Sequence, residues 1–138
     1  INDLIVLLNS FESLPEFICF SETWLSDSDI FNIPNFQLVT HNRNSMGGGS
    51  TIACRSDIKF SFFKDALERL CYKYNINCCS IRFSVNNSQL VLVSFYNPPN
   101  NNLFDSSCNK NGWEEILTCF DNCDKVIITG DFNYKHPL

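Results

Sequence analysis

The sequence QLVLVSFY, at residues 89–96, is the most regular strand pattern in the chain. A second apolar run, Ile76–Ser84, precedes it, and the four residues Val85–Ser88 between the two runs are typical of a tight turn. Two strand-like runs joined by so short a turn predict an antiparallel hairpin. Because the run from Leu90 to Phe95 is almost continuously apolar, we expect a strand that is covered on both faces.

Further runs of strand length lie on both sides of this hairpin: Phe17–Phe20, Phe36–Thr40, Thr51–Cys54, Ile58–Phe63 and Val126–Ile128. Apolar residues recur with helical spacing from Leu4 to Phe11, ahead of Pro15, and from Trp113 to Phe120, with Leu117 on the apolar face. The segment Ala66–Tyr74 has a mixed pattern. Helices that alternate with strands and a hairpin predict a layered α/β (α+β) fold.

The composition is that of one folded domain, residues 1–138, with 44% hydrophobic and 18% charged residues. The net charge of −5 is the wrong sign for a protein that binds nucleic acid by neutralising phosphates. A phosphodiesterase that holds a metal must nevertheless concentrate carboxylates, so the charge alone does not decide between these classes. No apolar run has the length that spans a membrane, and the 8 cysteines are expected to be mostly buried free thiols in an intracellular protein.

Polar groups follow three of the apolar runs. Glu22 comes after the first run, Tyr96 ends the hairpin, and Asp131 with Asn133 follows the last. Carboxylate and amide oxygens at strand ends suit Mg²⁺, or Mn²⁺, which keeps water ligands for a substrate phosphate. Since Asp131 and Asn133 are two residues apart, their side chains share one face if the segment is extended.

Each of these residues also has a purely structural interpretation. Asp131 and Asn133 are good turn formers after Gly130, Glu22 could be a solvated loop carboxylate, and Tyr96 could be a strand aromatic. A zinc site is not favoured, because the cysteines include no paired Cys-x-x-Cys knuckles.

Four motifs occur in the following order along the chain: SETWL at 21–25, GGGSTIA at 47–53, YNPPN at 96–100 and GDFN at 130–133. This order resembles the endonuclease/exonuclease/phosphatase superfamily, and most closely the apurinic-type endonuclease domain of non-LTR (LINE-like) retrotransposons. The resemblance implies a four-layer α/β sandwich of the deoxyribonuclease I and exonuclease III type, truncated here at both ends.

The resemblance also implies a role for each matching residue. Glu22 corresponds to the metal-binding glutamate and Tyr96 to the tyrosine that hydrogen-bonds the scissile phosphate. Asp131 corresponds to the aspartate that positions the attacking water, and Asn133 to the amide that contacts the phosphate. The implied activity is therefore metal-dependent hydrolysis of a DNA phosphodiester.

The chain departs from the family pattern at several points. No segment matches the family's N-terminal asparagine strand or its Ser-Asp-His segment, and His41 and His136 are the only imidazoles. Asn97 stands where many relatives have an arginine that could bind phosphate. We expect this chain alone to be inactive as a nuclease.

Three functions remain open from the sequence. The first is the nicking endonuclease of a retrotransposon protein, with target DNA as partner, a downstream reverse transcriptase domain, no stable protein partner and access to the nucleus. The second is another superfamily phosphoesterase, acting on abasic DNA or phosphoinositides. The third is a catalytically dead relic or interaction module.

Overall fold

A computed structural model of the chain describes residues 2–43, 47–63, 65–99, 101–104 and 112–134. The helices are α1 (Asn2–Asn9), α2 (Asp65–Tyr74) and α3 (Gly112–Thr118), with a 3₁₀ turn at Asn102–Phe104. The strands are β1 (Phe17–Ser21), β2 (Phe36–His41), β3 (Ser50–Arg55), β4 (Ser61–Phe62), β5 (Asn77–Val85), β6 (Ser88–Tyr96) and β7 (Lys125–Asp131).

The hairpin that the sequence predicts is confirmed. Strands β5 and β6 pair antiparallel over their full length, from Asn77 opposite Tyr96 to Val85 opposite Ser88. The two residues between the strands, Asn86 and Asn87, have φ values of 50° and 64°. Asparagine tolerates this left-handed conformation better than other residues with a side chain, which explains the asparagine pair at the turn.

The described strands form two sheets, with the orders β1-β3-β2 and β4-β5-β6-β7. All described neighbours are antiparallel except β6 and β7. In a parallel pair both strands run in the same direction, so β6 and β7 end at the same edge of their sheet. Tyr96, the last residue of β6, lies directly opposite Asp131, the last residue of β7.

Three apolar clusters separate four layers. The cluster between the two sheets includes Val39, Ile52 and Cys54 from one sheet and Cys79, Ile81, Phe83 and Leu92 from the other. Helices α2 and α3 cover the outer face of the four-stranded sheet, and α1 lies over the outer face of the three-stranded sheet. The four-layer α/β sandwich expected from the sequence is confirmed.

Strand β6 shows how this layering sets the direction of each side chain. Val91, Val93 and Phe95 pack toward the helices, whereas Leu92 packs toward the other sheet. The Ser94 hydroxyl, on the same face as Leu92, donates a 2.9 Å hydrogen bond to the Phe20 carbonyl of β1. Tyr96 continues this alternation, so its ring points between the two sheets at their common edge.

The segment Ala66–Tyr74, whose sequence pattern is mixed, is helical in the structure. Residues 65–74 form α2, whose Leu67, Leu70 and Cys71 are buried against β5 and β6. Their spacing of three and one places them on one face of a helix, while the charged residues between them face outward. The segment was ambiguous because only this narrow stripe is apolar.

Other predicted elements are shorter in the structure. Within Ile58–Phe63 only Ser61 and Phe62 form a strand, which pairs with the edge of β5. Leu117, expected on the packed face of α3, is 43% exposed, and Phe11 lies beyond the end of α1 and is 52% exposed. Helix α1 thus ends before its apolar pattern does, whereas Leu117 lies within α3 on the side that faces away from the core.

Seven cysteines lie in the described residues, and all of them are free thiols, four buried and three partly buried. Cys108 lies outside the described residues. Within the part of the chain that the structure describes, no helix has the length and apolar character needed to cross a membrane.

Candidate active site

The four predicted site residues lie at one edge of the sandwich. Glu22 follows β1 directly, Tyr96 ends β6, and Asp131 ends β7 with Asn133 two residues beyond it. Direct contacts link them in two pairs, Glu22 with Tyr96 and Asp131 with Asn133. Strand pairing between Tyr96 and Asp131 then joins the two pairs into one site.

The Tyr96 phenol connects the two sheets. Its hydroxyl donates a hydrogen bond of 3.2 Å to Glu22 Oε1, and the residue is only 3% exposed. Burial raises the pKa of Tyr96, and the negative charges of Glu22 and Asp131 raise it further, while Arg43 acts in the opposite direction. The phenol is therefore a fixed, neutral hydrogen-bond donor that points toward carboxylates.

Glu22 is held by the main chain of the glycine-rich segment. Glu22 itself has a φ of 58°, and its N–H donates to the Gly49 carbonyl at 2.8 Å. The Trp24 N–H donates to the Gly48 carbonyl at 2.9 Å, and Gly49 in turn donates its N–H to Asn77 Oδ1 at 3.1 Å. The position of Glu22 thus depends on a buried asparagine at the start of β5.

Gly48 is needed where the chain passes this asparagine. Its φ is 88°, and a Cβ at this position would lie 2.8 Å from Asn77 Oδ1 and 3.0 Å from Arg43 Cδ. A side chain at residue 48 would displace both neighbours, and the backbone conformation itself favours glycine.

Asp131 and Asn133 meet in a turn and not on an extended strand. Asn133 has a φ of 43°, and its N–H donates to Asp131 Oδ1 at 3.0 Å. The Asn133 side-chain amide donates to Asp131 Oδ2, also at 3.0 Å. The condition under which the sequence placed the two side chains on one face, an extended segment, is not met at Asn133. An aspartate that accepts the N–H two residues later forms an Asx-turn, which brings the side chains together instead.

Asn97 fastens this turn to β6. Its N–H donates to the Asp131 carbonyl at 2.9 Å, and its side-chain amide donates to the Phe132 carbonyl at 2.9 Å. Its own carbonyl accepts a 2.8 Å hydrogen bond from the Asn133 amide. Asn97 is 1% exposed, so its side chain is buried in this junction and supports the turn.

Gly130 allows β7 to approach β6 at this point. Its φ is 142°, and a Cβ here would lie 1.8 Å from the Phe95 carbonyl oxygen. Backbone atoms cannot move aside as a flexible side chain can. The glycine of the GDFN motif is therefore required by the close packing of main chains beside the site.

Three contributors to this edge were not predicted from the sequence: Asn77, Arg43 and the supporting role of Asn97. The Asn77 contact spans 28 residues of chain, and no local pattern could have revealed it. His41, one of the two imidazoles, ends β2 opposite Ser50, with its Nδ1 3.5 Å from the Asn77 amide nitrogen. His136 lies outside the described residues.

The carboxylates at this edge are the donor set available to a divalent ion. Among the described residues, no group of three or more His, Cys, Asp and Glu side chains is placed to hold a metal. Mg²⁺, however, is commonly held by one or two carboxylates together with water and substrate phosphate. Glu22 accepts the hydrogen bond of the Tyr96 hydroxyl, and Asp131 lies opposite Tyr96 in the pairing of β6 with β7, so both carboxylates belong to residues next to Tyr96. This arrangement fits an ion shared between protein and substrate.

The fold and the site together define an α/β sandwich domain with a polar, acidic edge. Residues 90–138 of this domain match the family model described as endonuclease-reverse transcriptase. The match includes Tyr96, Asp131 and Asn133, and it confirms the resemblance to an endonuclease domain of retrotransposon type. No curated protein matches the chain.

Proposed function

We propose that this chain is the core of a DNA endonuclease domain that nicks its target by metal-dependent phosphodiester hydrolysis. The observation that carries the proposal is the convergence of Glu22, Tyr96, Asp131 and Asn133 at one edge, from three separate strand ends. The family match over residues 90–138 supports linkage to a reverse transcriptase in the parent protein. Such a protein would need access to the nucleus to reach chromosomal DNA.

Each residue of the edge has a definable task in this chemistry. Tyr96 donates a hydrogen bond to Glu22 in this structure, and the same hydroxyl can donate to a phosphate oxygen placed beside that carboxylate. Asp131 orients the attacking water. Asn133 holds the Asp131 carboxylate in position, and Asn97 holds the Asp131 backbone through its carbonyl oxygen. Mg²⁺ or Mn²⁺, held by Glu22 and Asp131, would supply positive charge that polarises the phosphate.

Nicking of supercoiled plasmid by the parent protein tests the proposal. Glu22→Gln and Asp131→Asn should each reduce the nicking rate by about 100-fold or more, since each removes charge that stabilises the transition state. Glu12→Gln is the matched control, because Glu12 is an exposed glutamate outside this edge. Equal activity of all three variants would contradict the proposal.

Residues 1–138 alone are predicted to bind the ion without nicking DNA, because no segment matches the family's Ser-Asp-His. Binding is measured as the rise in melting temperature with Mn²⁺, which Glu22→Gln and Asp131→Asn should reduce. Nicking by residues 1–138 that disappears in Asp131→Ala would overturn the predicted inactivity. The absence of any effect of Mn²⁺ would favour a catalytically dead module, and hydrolysis of phosphoinositides or abasic DNA alone would favour another phosphoesterase.

A further inference from the structure

An exposed tryptophan lies two residues beyond Glu22. Trp24 is 64% exposed, yet its backbone is fixed by the hydrogen bond from its N–H to the Gly48 carbonyl. One face of its ring packs near Gly47, where a Cβ would lie 3.6 Å from the indole. A large aromatic side chain is thus held in place beside the candidate site with most of its surface open.

An ordered arginine lies near the same glycines. Arg43 Nη2 donates a 2.9 Å hydrogen bond to Asn75 Oδ1, and the Arg43 side chain runs past Gly48 in close contact. The salt bridges found among the described residues do not include Arg43. The Gly48 carbonyl also accepts the Trp24 N–H, so Arg43 and Trp24 both lie against the same glycine.

A DNA strand that approaches this edge has to overcome repulsion from Glu22 and Asp131, in a chain with a net charge of −5. A guanidinium offers paired N–H groups that match the oxygens of a phosphate. An exposed indole offers a flat surface on which a base or deoxyribose can stack. Trp24 and Arg43 present both chemistries next to the same glycine segment.

We infer that Trp24 and Arg43 form a DNA-binding rim beside Gly47 and Gly48, separate from the residues that act on the cleaved bond. Arg43 binds a backbone phosphate next to the scissile one, and Trp24 stacks on a nucleotide of the same strand. This inference rests on the proposed function, since it takes DNA as the substrate.

The experiment uses Trp24 as its own reporter. The chain has two tryptophans, so Trp113→Phe leaves Trp24 as the only one. A short DNA duplex is titrated into this protein, with Ca²⁺ in place of Mg²⁺ so that binding is observed without cleavage. Stacking should quench the Trp24 emission in a saturable manner. Binding without any change in emission would overturn the role of Trp24.

Arg43 is tested by binding of fluorescein-labelled duplex as a function of salt. Arg43→Gln should weaken binding about tenfold and reduce the slope of log Kd against log salt by about 0.9, the amount expected for one phosphate contact. Arg69→Gln is the matched control, since Arg69 is an exposed arginine on α2. Equal affinity and slope in the two variants, or no binding of duplex by the unsubstituted protein, would overturn the inference.

The outcome also separates the rim from the proposed function. If Mn²⁺ raises the melting temperature through Glu22 and Asp131 while Arg43→Gln has no effect on DNA binding, only the rim is wrong. If DNA binding depends on Arg43 but nicking by the parent protein does not depend on Glu22, the rim stands and the catalytic proposal fails. Thermal melting of each variant verifies that the substituted chains are folded.

Discussion

The two sides of the candidate site are built in different ways. On one side, Asp131 is held by amide groups of Asn133 and Asn97, which lie in the same turn and on the adjoining strand end. On the other side, Glu22 is held by backbone carbonyl groups of the glycine segment, which is itself fixed by Asn77. We call these the Asp131 arm (Asn97 and residues 130–133) and the Glu22 arm (Glu22, Gly48, Gly49 and Asn77).

The difference predicts how each arm responds to substitution. In the Asp131 arm, the backbone of Gly130 packs against the backbone of Phe95. A side chain added at Gly130 would collide with backbone atoms that cannot rotate away. In the Glu22 arm, a Cβ at Gly48 would instead meet side-chain atoms, Asn77 Oδ1 and Arg43 Cδ, which can shift by a few tenths of an ångström. We therefore expect glycine substitutions to destabilise the Asp131 arm strongly and the Glu22 arm only moderately.

The largest effect is expected for Gly130→Ala. A Cβ at residue 130 would overlap the Phe95 carbonyl oxygen at 1.8 Å, and φ would remain at 142°. The cost combines backbone strain with separation of β6 from β7, so the free energy of unfolding should fall by about 4 kcal/mol or more. Urea denaturation measures this fall. If the loss exceeds the stability of the protein, the variant shows no cooperative unfolding transition.

Gly47→Ala is the matched control, at the glycine that directly precedes Gly48 of the Glu22 arm. Gly47 also has a positive φ, 80°, but a Cβ there would meet only the Trp24 ring at 3.6 Å. The loss should be limited to about 1 kcal/mol of backbone strain. Equal losses in the two alanine variants would show that φ, and not the close approach of β6 and β7, decides the need for glycine.

Local structure was predictable where local sequence determines it. The hairpin β5–β6 is predictable because an asparagine pair separates two apolar runs. Asp131 and Asn133 are recognisable as site candidates because the GDFN motif follows an apolar run of strand length. The sequence left both a turn and an extended segment open for that motif, and in the structure a turn brings the two side chains together. Residue types can identify a site while leaving its backbone undetermined.

Long-range contacts were not predictable from one sequence. The sequence places Asn77 in a strand. Nothing in the residues adjacent to it in sequence indicates that its side chain accepts a hydrogen bond from the Gly49 N–H. Helix α2 was missed for a related reason, because its apolar stripe is narrow and is recognised only against the β5 and β6 surface that covers it. Tertiary packing, and not local propensity, decides such elements.

An intermediate effect is expected for Asn97→Ala and Asn77→Ala. Asn97→Ala removes the donor to the Phe132 carbonyl, and Asn77→Ala leaves the buried Gly49 N–H without its acceptor. Each should lower the free energy of unfolding by about 1–3 kcal/mol. Because the two stability losses should be similar, stability alone does not distinguish the arms. The distinction comes from whether each asparagine affects Mn²⁺ binding through the carboxylate of its own arm.

Double-mutant cycles on Mn²⁺ binding measure that coupling. Asn97→Ala should be coupled to Asp131→Asn, and Asn77→Ala to Glu22→Gln, by at least about 0.5 kcal/mol within each arm. Pairs taken from different arms should be additive within about 0.5 kcal/mol. Strong coupling across the arms would show that the two supports act as one unit and would remove the distinction between them.

The smallest effect is a pH dependence that reports on the link between the arms. The native pKa of Tyr96 is raised above its ordinary value of 10.0 by burial and by both carboxylates, with Glu22 acting more strongly than Asp131. The native state therefore retains the phenol proton at a pH where the unfolded state loses it. This contribution to stability is fully present below about pH 10 and is lost as the pH rises through the native pKa.

Ultraviolet difference absorbance of the phenolate measures the Tyr96 titration, and Tyr96→Phe identifies its share among the four tyrosines. Glu22→Gln should lower the native pKa of Tyr96 more than Asp131→Asn does, and Arg43→Gln should raise it, because each removes one of the charges that act on the phenol. A titration that responds to Glu22 but not to Asp131 would mean that only one arm reaches the phenol. In that case the two carboxylates could not share one ion beside it, and the metal would have to be held by the Glu22 arm alone.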